Sequence, residues 1–367
     1  RLASIVLRDS AYLAEEEARR SAESGLSRHD PPLPLYVSAD AERAIRLFTP
    51  LPMREQRTLA PGISVSLHRA GHILGSRFVV LTVGDVRIVF SGDLGRTDHP
   101  LLLPPEPPGD ADYFVVESTY GNREHPVGAI DALADVLTRT LERGGVALLP
   151  AFAVDRTPML LHELRGLVLA GRVPDVPVYA DSPMALRALT VYREALARGG
   201  DEFRPSVTGS ADPFDPGHLE LVPDESASSR LNDPKKPCIV ISASGMATGG
   251  RVLHHLRGQL PRARNSVVLT GYQVPGTRGH DLVQGAPQVK IHGRYVPVRA
   301  EIANVRGFSA HADAPQLLSW LRHSVEPRTV FVVHGEPASS EALATTVRAG
   351  LDWTAVVPRL HERVLVD

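Results

Sequence analysis

The spacing of apolar residues divides the chain into three parts. Between Ile63 and Ser118 the apolar positions recur every two residues or run on: ISVSLHR alternates, while RFVVLTV, VRIVFSG and YFVVEST are nearly continuous. Runs of this length and β-branched content predict strands. Gly84-Asp85 stands between two of them and predicts a tight hairpin. The proline-rich LLLPPEPPGDAD predicts a surface loop with a stiff backbone. From Val127 the period lengthens. Ile130, Leu133, Leu137 and Leu141 lie three and four apart, on one face of a helix that Gly144-Gly145 ends. Strand and helix patterns then alternate through VALLPAF, VDRTPMLLHELRGLVLAG, VPVYAD, PMALRALTVYREALARGG, CIVISAS, a helix after Gly249-Gly250, and SVVLTGY. Repeated strand–helix units imply a largely parallel sheet with helices on its faces. Residues 203–234 are rich in Pro, Asp and Ser and predict exposed loop with a short helix. Beyond Tyr295, strands return in YVPVRAEIANVRGFS and RTVFVVHGE, with the helix APQLLSWLRHSV between them. The whole reads as an α/β protein: a β-rich segment, an inserted α/β domain and a return to the first domain.

Composition narrows the function classes. A chain of 367 residues, 43% hydrophobic, has room for two domains with their own cores. No apolar run approaches the ~18 residues of a membrane span, so no membrane role is expected. The opening RLASIVLRDSAYLAEEEARR reads as an amphipathic helix, not a secretory signal. The chain begins with Arg1 inside that helix, so further residues are expected upstream. A net charge of −2 means that a nucleic acid would be held by local patches, not by bulk charge. Lys235, Lys236 and Lys290 are the only lysines. Arginine suits phosphate oxygens, though a GC-rich genome writes the same bias. Cys238 is the sole cysteine and sits in the apolar PCIVIS, which predicts a buried, inert thiol and a cytoplasmic setting.

Candidate chemistry gathers where apolar runs end. His72 lies in AGHILGS, Asp93 in FSGDLGR, Glu117 in VVESTYG, His311 in GFSAHAD and His334 in FVVHGE. A side chain at the end of a buried strand is held rigidly at the mouth of a sheet. Imidazole and carboxylate are ligands for zinc or manganese. Any one of the five has an ordinary structural reading as a cap or a hydrogen-bonded residue; five such positions together point to a shared site. His29, His99, His125, His218, His323 and His361 fall in polar stretches and are assigned to solvent. SASGMATGGR has two readings, a glycine-dependent strand-to-helix turn or a phosphate cradle built from Ser242, Ser244, Gly249, Gly250 and Arg251. Arg278, Arg306 and Tyr272 are weaker candidates for contact with a nucleic acid.

The ordered motifs AGHILGS, SGDLGR, ESTYGNREH, DSPMA, SGMATGGR, GFSAHAD and VHGE resemble the β-CASP branch of the metallo-β-lactamase superfamily, a resemblance that runs from about Val37 to Val366. More narrowly, they are similar to bacterial and archaeal relatives of the endonuclease subunit of the cleavage and polyadenylation specificity factor. The resemblance implies an αββα lactamase sandwich in residues 1–120 and 307–367, with a parallel-sheet β-CASP domain inserted at 121–306. It implies His72 and His334 as ligands of separate zinc ions, Asp93 as the carboxylate bridging them, and His311 as general acid or phosphate contact oriented by Glu117. The activity implied is a ribonuclease with two zinc ions, manganese being an alternative. A hydroxide activated by both metals would attack the phosphodiester and leave a 5′-phosphate and a 3′-hydroxyl. The expected partner is RNA, single-stranded; a homodimer is compatible but has no signature in the chain.

One departure is plain. The family's remaining ligands come from a His-x-His-x-Asp-His motif that occurs nowhere in these residues, and the adjacent His254-His255 cannot imitate it. That motif and the first strands of the lactamase-like sheet are expected upstream of Arg1. The alternatives are a metal-deficient fragment or a non-catalytic RNA-binding scaffold. A DNA nuclease is disfavoured because DNA-directed relatives commonly carry valine where this chain has His334, and a small-molecule hydrolase because the insertion is large.

Overall fold

In the computed structural model, residues 1–366 are described apart from Leu26, Arg28 and Ser210. The chain opens with helices α1 (Leu2–Ser24) and α2 (Ser38–Arg46), then runs through strands β1 (Arg57–Ala60), β2 (Ile63–Arg69), β3 (Arg77–Val83), β4 (Val86–Phe90) and β5 (Tyr113–Glu117). An alternating region follows: α3 (Ala129–Glu142), β6 (Val146–Pro150), α4 (Arg156–Leu169), β7 (Val178–Asp181), α5 (Pro183–Ala197), α6 (Pro205–Thr208), β8 (Leu219–Leu221), α7 (Glu225–Arg230), β9 (Cys238–Ser242), α8 (Val252–Gln259), β10 (Ser266–Leu269) and α9 (Arg278–Val283). The hairpin β11 (Gln288–Ile291) and β12 (Arg294–Pro297) precedes β13 (Glu301–Asn304). The chain closes with α10 (Ala314–Leu321), β14 (Thr329–Val333), α11 (Pro337–Leu351) and β15 (Ala355–Val356).

The first sheet has the order β1-β2-β3-β4-β5-β14-β15. Its first four strands form antiparallel pairs, and Gly84-Asp85 is the turn between β3 and β4. From β4 onward the pairing is parallel, with Phe90 beside Val115 and Glu117 beside Val333. The carboxyl ends of β4, β5 and β14 therefore lie side by side along one edge. One face carries Phe78, Phe114, Val116 and Val332 against Leu317, Trp320 and Leu321 of α10 and Leu343 and Val347 of α11. The Trp320 ring meets Phe78 and Phe114 edge-on, and its indole N–H donates to the Glu106 carbonyl at 2.8 Å. The indole thus keeps its one polar group satisfied inside an apolar layer.

The second sheet, β13-β10-β6-β9-β7-β8, is parallel throughout. Its strands are apolar on both faces because helices cover both. Ala147, Leu149, Ile239, Ile241 and Val268 face α3, α4 and α5, while Val146, Leu148, Cys238, Val240, Val267 and Leu269 face α8 and α9. That is the two-sided burial expected of parallel strands. Cys238 belongs to the second layer, where burial pushes its thiol up to about 12. Residues 203–234 hold more order than their composition suggests: two short helices, the edge strand β8, and Phe214, whose fully buried ring packs edge-on against Tyr192. A three-residue strand carries too little alternation to be read from sequence. No helix among the described residues is long and apolar enough to cross a membrane.

Leu148 is fully buried between the second sheet and α8. Leu148→Ala should cost about 2–5 kcal/mol, read as a lowered midpoint in thermal unfolding.

Candidate metal centre

Asp93 follows β4, Glu117 ends β5 and His334 follows β14, so three neighbouring parallel strands deliver three polar side chains to one edge. Ligands collect in this position in open α/β sheets because the strands stop and backbone groups open toward solvent. His72 comes from the turn between β2 and β3. Gly95 lets that turn close onto the Asp93 loop. The Gly95 amide donates to the Ala70 carbonyl at 2.8 Å, and a methyl group added at Gly95 would sit 1.9 Å from the Gly71 carbonyl oxygen. Neither backbone could come so close with a side chain between them. On its other side Gly95 forms an antiparallel bridge with His311, supported by Arg96 N–H to the Ala310 carbonyl (3.0 Å) and Ala312 N–H to the Leu94 carbonyl (2.7 Å).

The five side chains meet. A His72 ring nitrogen is 3.8 Å from one Asp93 carboxylate oxygen, and His334 Nδ1 is 3.5 Å from the other. His72, Asp93 and His311 offer donor atoms within 4.8 Å of one another, as do Asp93, Glu117 and His334. Asp93 belongs to both groups, the place a bridging carboxylate must take. The Nδ1 atom of His72 is buried and has no hydrogen-bond partner among the described residues. Burial, reinforced by the neighbouring His311, pushes the His72 imidazole down to about 4, so it is neutral near pH 7, the form that binds a cation. His334 is the exposed member and takes a left-handed backbone, φ 56°, braced by the Thr119 hydroxyl, which donates to its carbonyl at 3.2 Å. Imidazoles on either side of a carboxylate are a donor set that suits divalent cations.

Glu117 stands behind this row. Its carboxylate is buried and accepts from the Leu94 amide at 2.8 Å, the Thr119 amide at 3.3 Å, and His311 Nδ1 at 3.0 and 3.1 Å. Burial works against its charge, but the hydrogen bond and charge of His311, with Thr119 and the Leu94 amide, hold it below the usual carboxylate range. His311 answers in the opposite sense. Burial opposes its protonation, yet the Glu117 hydrogen bond and charge raise it above its ordinary 6.5. The His311 ring lies between His72, 4.2 Å away, and Tyr120, stacked at 6.1 Å.

The other expectations divide. Ser242 is buried with its hydroxyl donating to the Asp181 carbonyl at 2.9 Å. Arg251 donates to the Asp181 carboxylate at 2.7 Å and to the carbonyls of Val222 and Pro223. Both therefore brace the loop from within. Ser244, Gly249 and Gly250 remain on the accessible side of that loop. Arg278 braces the same loop through the carbonyls of Ala247 and Thr248, while Arg306 is exposed. His99 and His125, assigned to solvent, are not solvent groups. His99 is fully buried against Asp155, and His125 donates from Nε2 to the His311 carbonyl at 2.8 Å. The Pro-Leu-Leu-Leu after His99 was the signal of burial that its polar neighbours masked. Tyr272, partly buried, lies at the mouth: its hydroxyl donates to Glu336 at 3.1 Å, and the Arg123 guanidinium rests 3.8 Å from its ring centre.

Two family models match the chain: the Beta-Casp domain over residues 157–282, and the Zn-dependent metallo-hydrolase RNA specificity domain over residues 295–358. Ribonuclease TTHA0252 of Thermus thermophilus is 38% identical over 312 residues, covering 84% of this chain and 71% of its own length. An RNase J-like protein of Methanocaldococcus jannaschii is 31% identical over 331 residues, 88% of this chain and 76% of the relative. Transcription termination factor FttA of Pyrococcus abyssi is 32% identical across 86% of this chain, which spans only 50% of that protein. A donor cluster on the carboxyl edge of the first sheet, a parallel-sheet insertion and relatives at this level of identity lead to one assignment: the chain belongs to the β-CASP branch of the metallo-β-lactamase superfamily, a family of hydrolytic RNA-processing nucleases.

Proposed function

We propose that the protein is a zinc-dependent ribonuclease that cleaves single-stranded RNA to leave a 5′-phosphate and a 3′-hydroxyl, and that it works in the cytoplasm. The observation that carries this reading is the Glu117–His311 pair standing directly behind an Asp93 flanked by His72 and His334. In this reading His72, Asp93 and His334 would hold the cations. Bound there, two zinc ions (or manganese) would supply Lewis acidity to the phosphate and to the attacking water. Ser244, Gly249 and Gly250 are the proposed contacts to the substrate backbone, with Ser242 and Arg251 setting their loop.

His311 has the attributes of the general acid. Its Nδ1–H is tied to Glu117, which fixes the tautomer and leaves Nε2 as the atom that hands a proton to the leaving 3′-oxygen. A buried carboxylate against Nδ1 also stabilises the protonated ring until transfer. The second reading, a non-catalytic RNA-binding scaffold, would tolerate loss of this pair and of the donors around Asp93. Their joint retention within one small volume favours the enzyme.

Three outcomes test the assignment on the full-length protein. His311→Ala should keep the metal content of the parent and cut turnover by about 10²–10⁴-fold; RNA cleavage at the parental rate would remove His311 from the chemistry. Asp93→Ala should lose metal, measured by elemental analysis of the dialysed protein. The pH profile has a definite sign. His311 acts when protonated, so turnover is present below its raised pKa and falls as pH climbs through it, above 6.5. Glu117→Gln removes the anion that raises it, so the alkaline limb should move to lower pH.

A further inference from the structure

Hydrogen-bonded to the turn that carries His72 lies a polar cluster that the chemistry above does not use. His99 follows the Asp93 loop in the first sheet; Asp155 follows β6 in the second; Tyr192 is on α5. All three are inside the protein, at 0%, 1% and 0% exposure. His99 Nδ1 accepts from the amides of Leu101 and Leu102, both at 3.1 Å, so its ring proton is on Nε2 and is donated to Asp155 at 3.0 Å. The Tyr192 hydroxyl donates to the other Asp155 oxygen at 2.9 Å. That same hydroxyl accepts from the Leu74 amide at 3.2 Å, two residues beyond His72.

The charge balance of this cluster is unusual. Asp155 is an interior carboxylate whose two hydrogen-bond donors are a neutral imidazole and a phenol. The one cation beside it in sequence, Arg156, directs its guanidinium to the Thr270 carbonyl at 2.9 Å. An interior charge without a paired cation is costly and is retained only where something compensates it. Through the Tyr192 hydroxyl and the Leu74 amide, this carboxylate is joined to the turn that carries His72. Asp155 itself adopts φ 63°, outside the helix it precedes.

We propose that Asp155, held by His99 and Tyr192, is a positioning residue for the metal centre: an interior anion supplied by the second sheet that fixes the His72 turn and favours cations beside it. The proposal rests on reading His72, Asp93 and His334 as metal ligands. It assigns the β-CASP domain a part in metal affinity in addition to covering the cleft. A purely structural brace between the sheets makes the opposite prediction, because its loss would lower stability and leave the affinity of the folded protein untouched.

The test is zinc affinity by chelator competition, with thermal midpoints of the metal-free forms, for the full-length parent, Asp155→Asn and Tyr192→Phe. Asparagine keeps the shape and tolerates positive φ but removes the charge. Asp155→Asn should bind zinc about tenfold more weakly or worse, within the 10–100-fold range of outer-sphere changes, while its metal-free midpoint stays close to that of the parent. Tyr192→Phe, which deletes only the hydroxyl that joins Asp155 to the Leu74 amide, should weaken zinc binding in the same direction by less. Parental affinity in Asp155→Asn, or a fallen midpoint with unchanged affinity, would overturn the proposal. If Asp155→Asn does not fold, Tyr192→Phe decides, and parental zinc affinity in that variant overturns it. A parent that takes up no zinc sinks the metal-centre reading itself and this proposal with it.

Discussion

Glu117 is the residue on which the arrangement of the site turns. One buried carboxylate accepts from the backbone beside Asp93, from the backbone beside its own strand end and from the ring of His311. These segments are distant in sequence: β5, the loop after β4, and the approach to α10. A carboxylate can satisfy several donors at once because each oxygen has two lone pairs, and burial makes each bond count for more. The same bonds that hold the carboxylate ionised also set the orientation of the imidazole. Structure and electrostatics are in this case a single interaction.

The backbone does the rest by removing atoms. Gly95 lets the His72 turn and the Asp93 loop touch where a methyl group would collide. The side chains of His72 and Asp93 therefore project from neighbouring points although their strands are separated by β3. Parallel pairing of β4, β5 and β14 places the other donors along the same edge. Sheet register and glycine contact together turn five scattered residues into a cluster.

Much of this was legible in the chain. The hairpin at Gly84-Asp85, the helix carrying Leu133 and Leu137, and the parallel sheet all follow from local periodicity, and the structure has them. The five polar residues stood out because each lies at the end of an apolar run or in the turn beyond it; the fold is what brings them together. What escaped were groups whose meaning is set by a distant partner. His99 looks polar in sequence because Thr97 and Asp98 precede it; only a carboxylate from the second sheet makes it an interior residue. Arg251 looked like a phosphate ligand by motif, yet Asp181, 70 positions away, claims its guanidinium. β8 was missed because three residues show no period. Periodicity reports which face of an element is dry; it carries no information on which buried polar atoms find one another.

The two sheets touch at their carboxyl ends through contacts of unequal exposure. At the floor, His99, Asp155 and Tyr192 are sealed from water. At the mouth, Tyr272 and Arg123 reach the half-exposed Glu336. Water competes for the second set and not for the first, so exposed pairs of this kind are worth only about 0–1 kcal/mol. The molecule is thus built like a bound book: firm along the spine, loose at the fore-edge. A polymer could part the pages near His334 without disturbing the binding beneath His72.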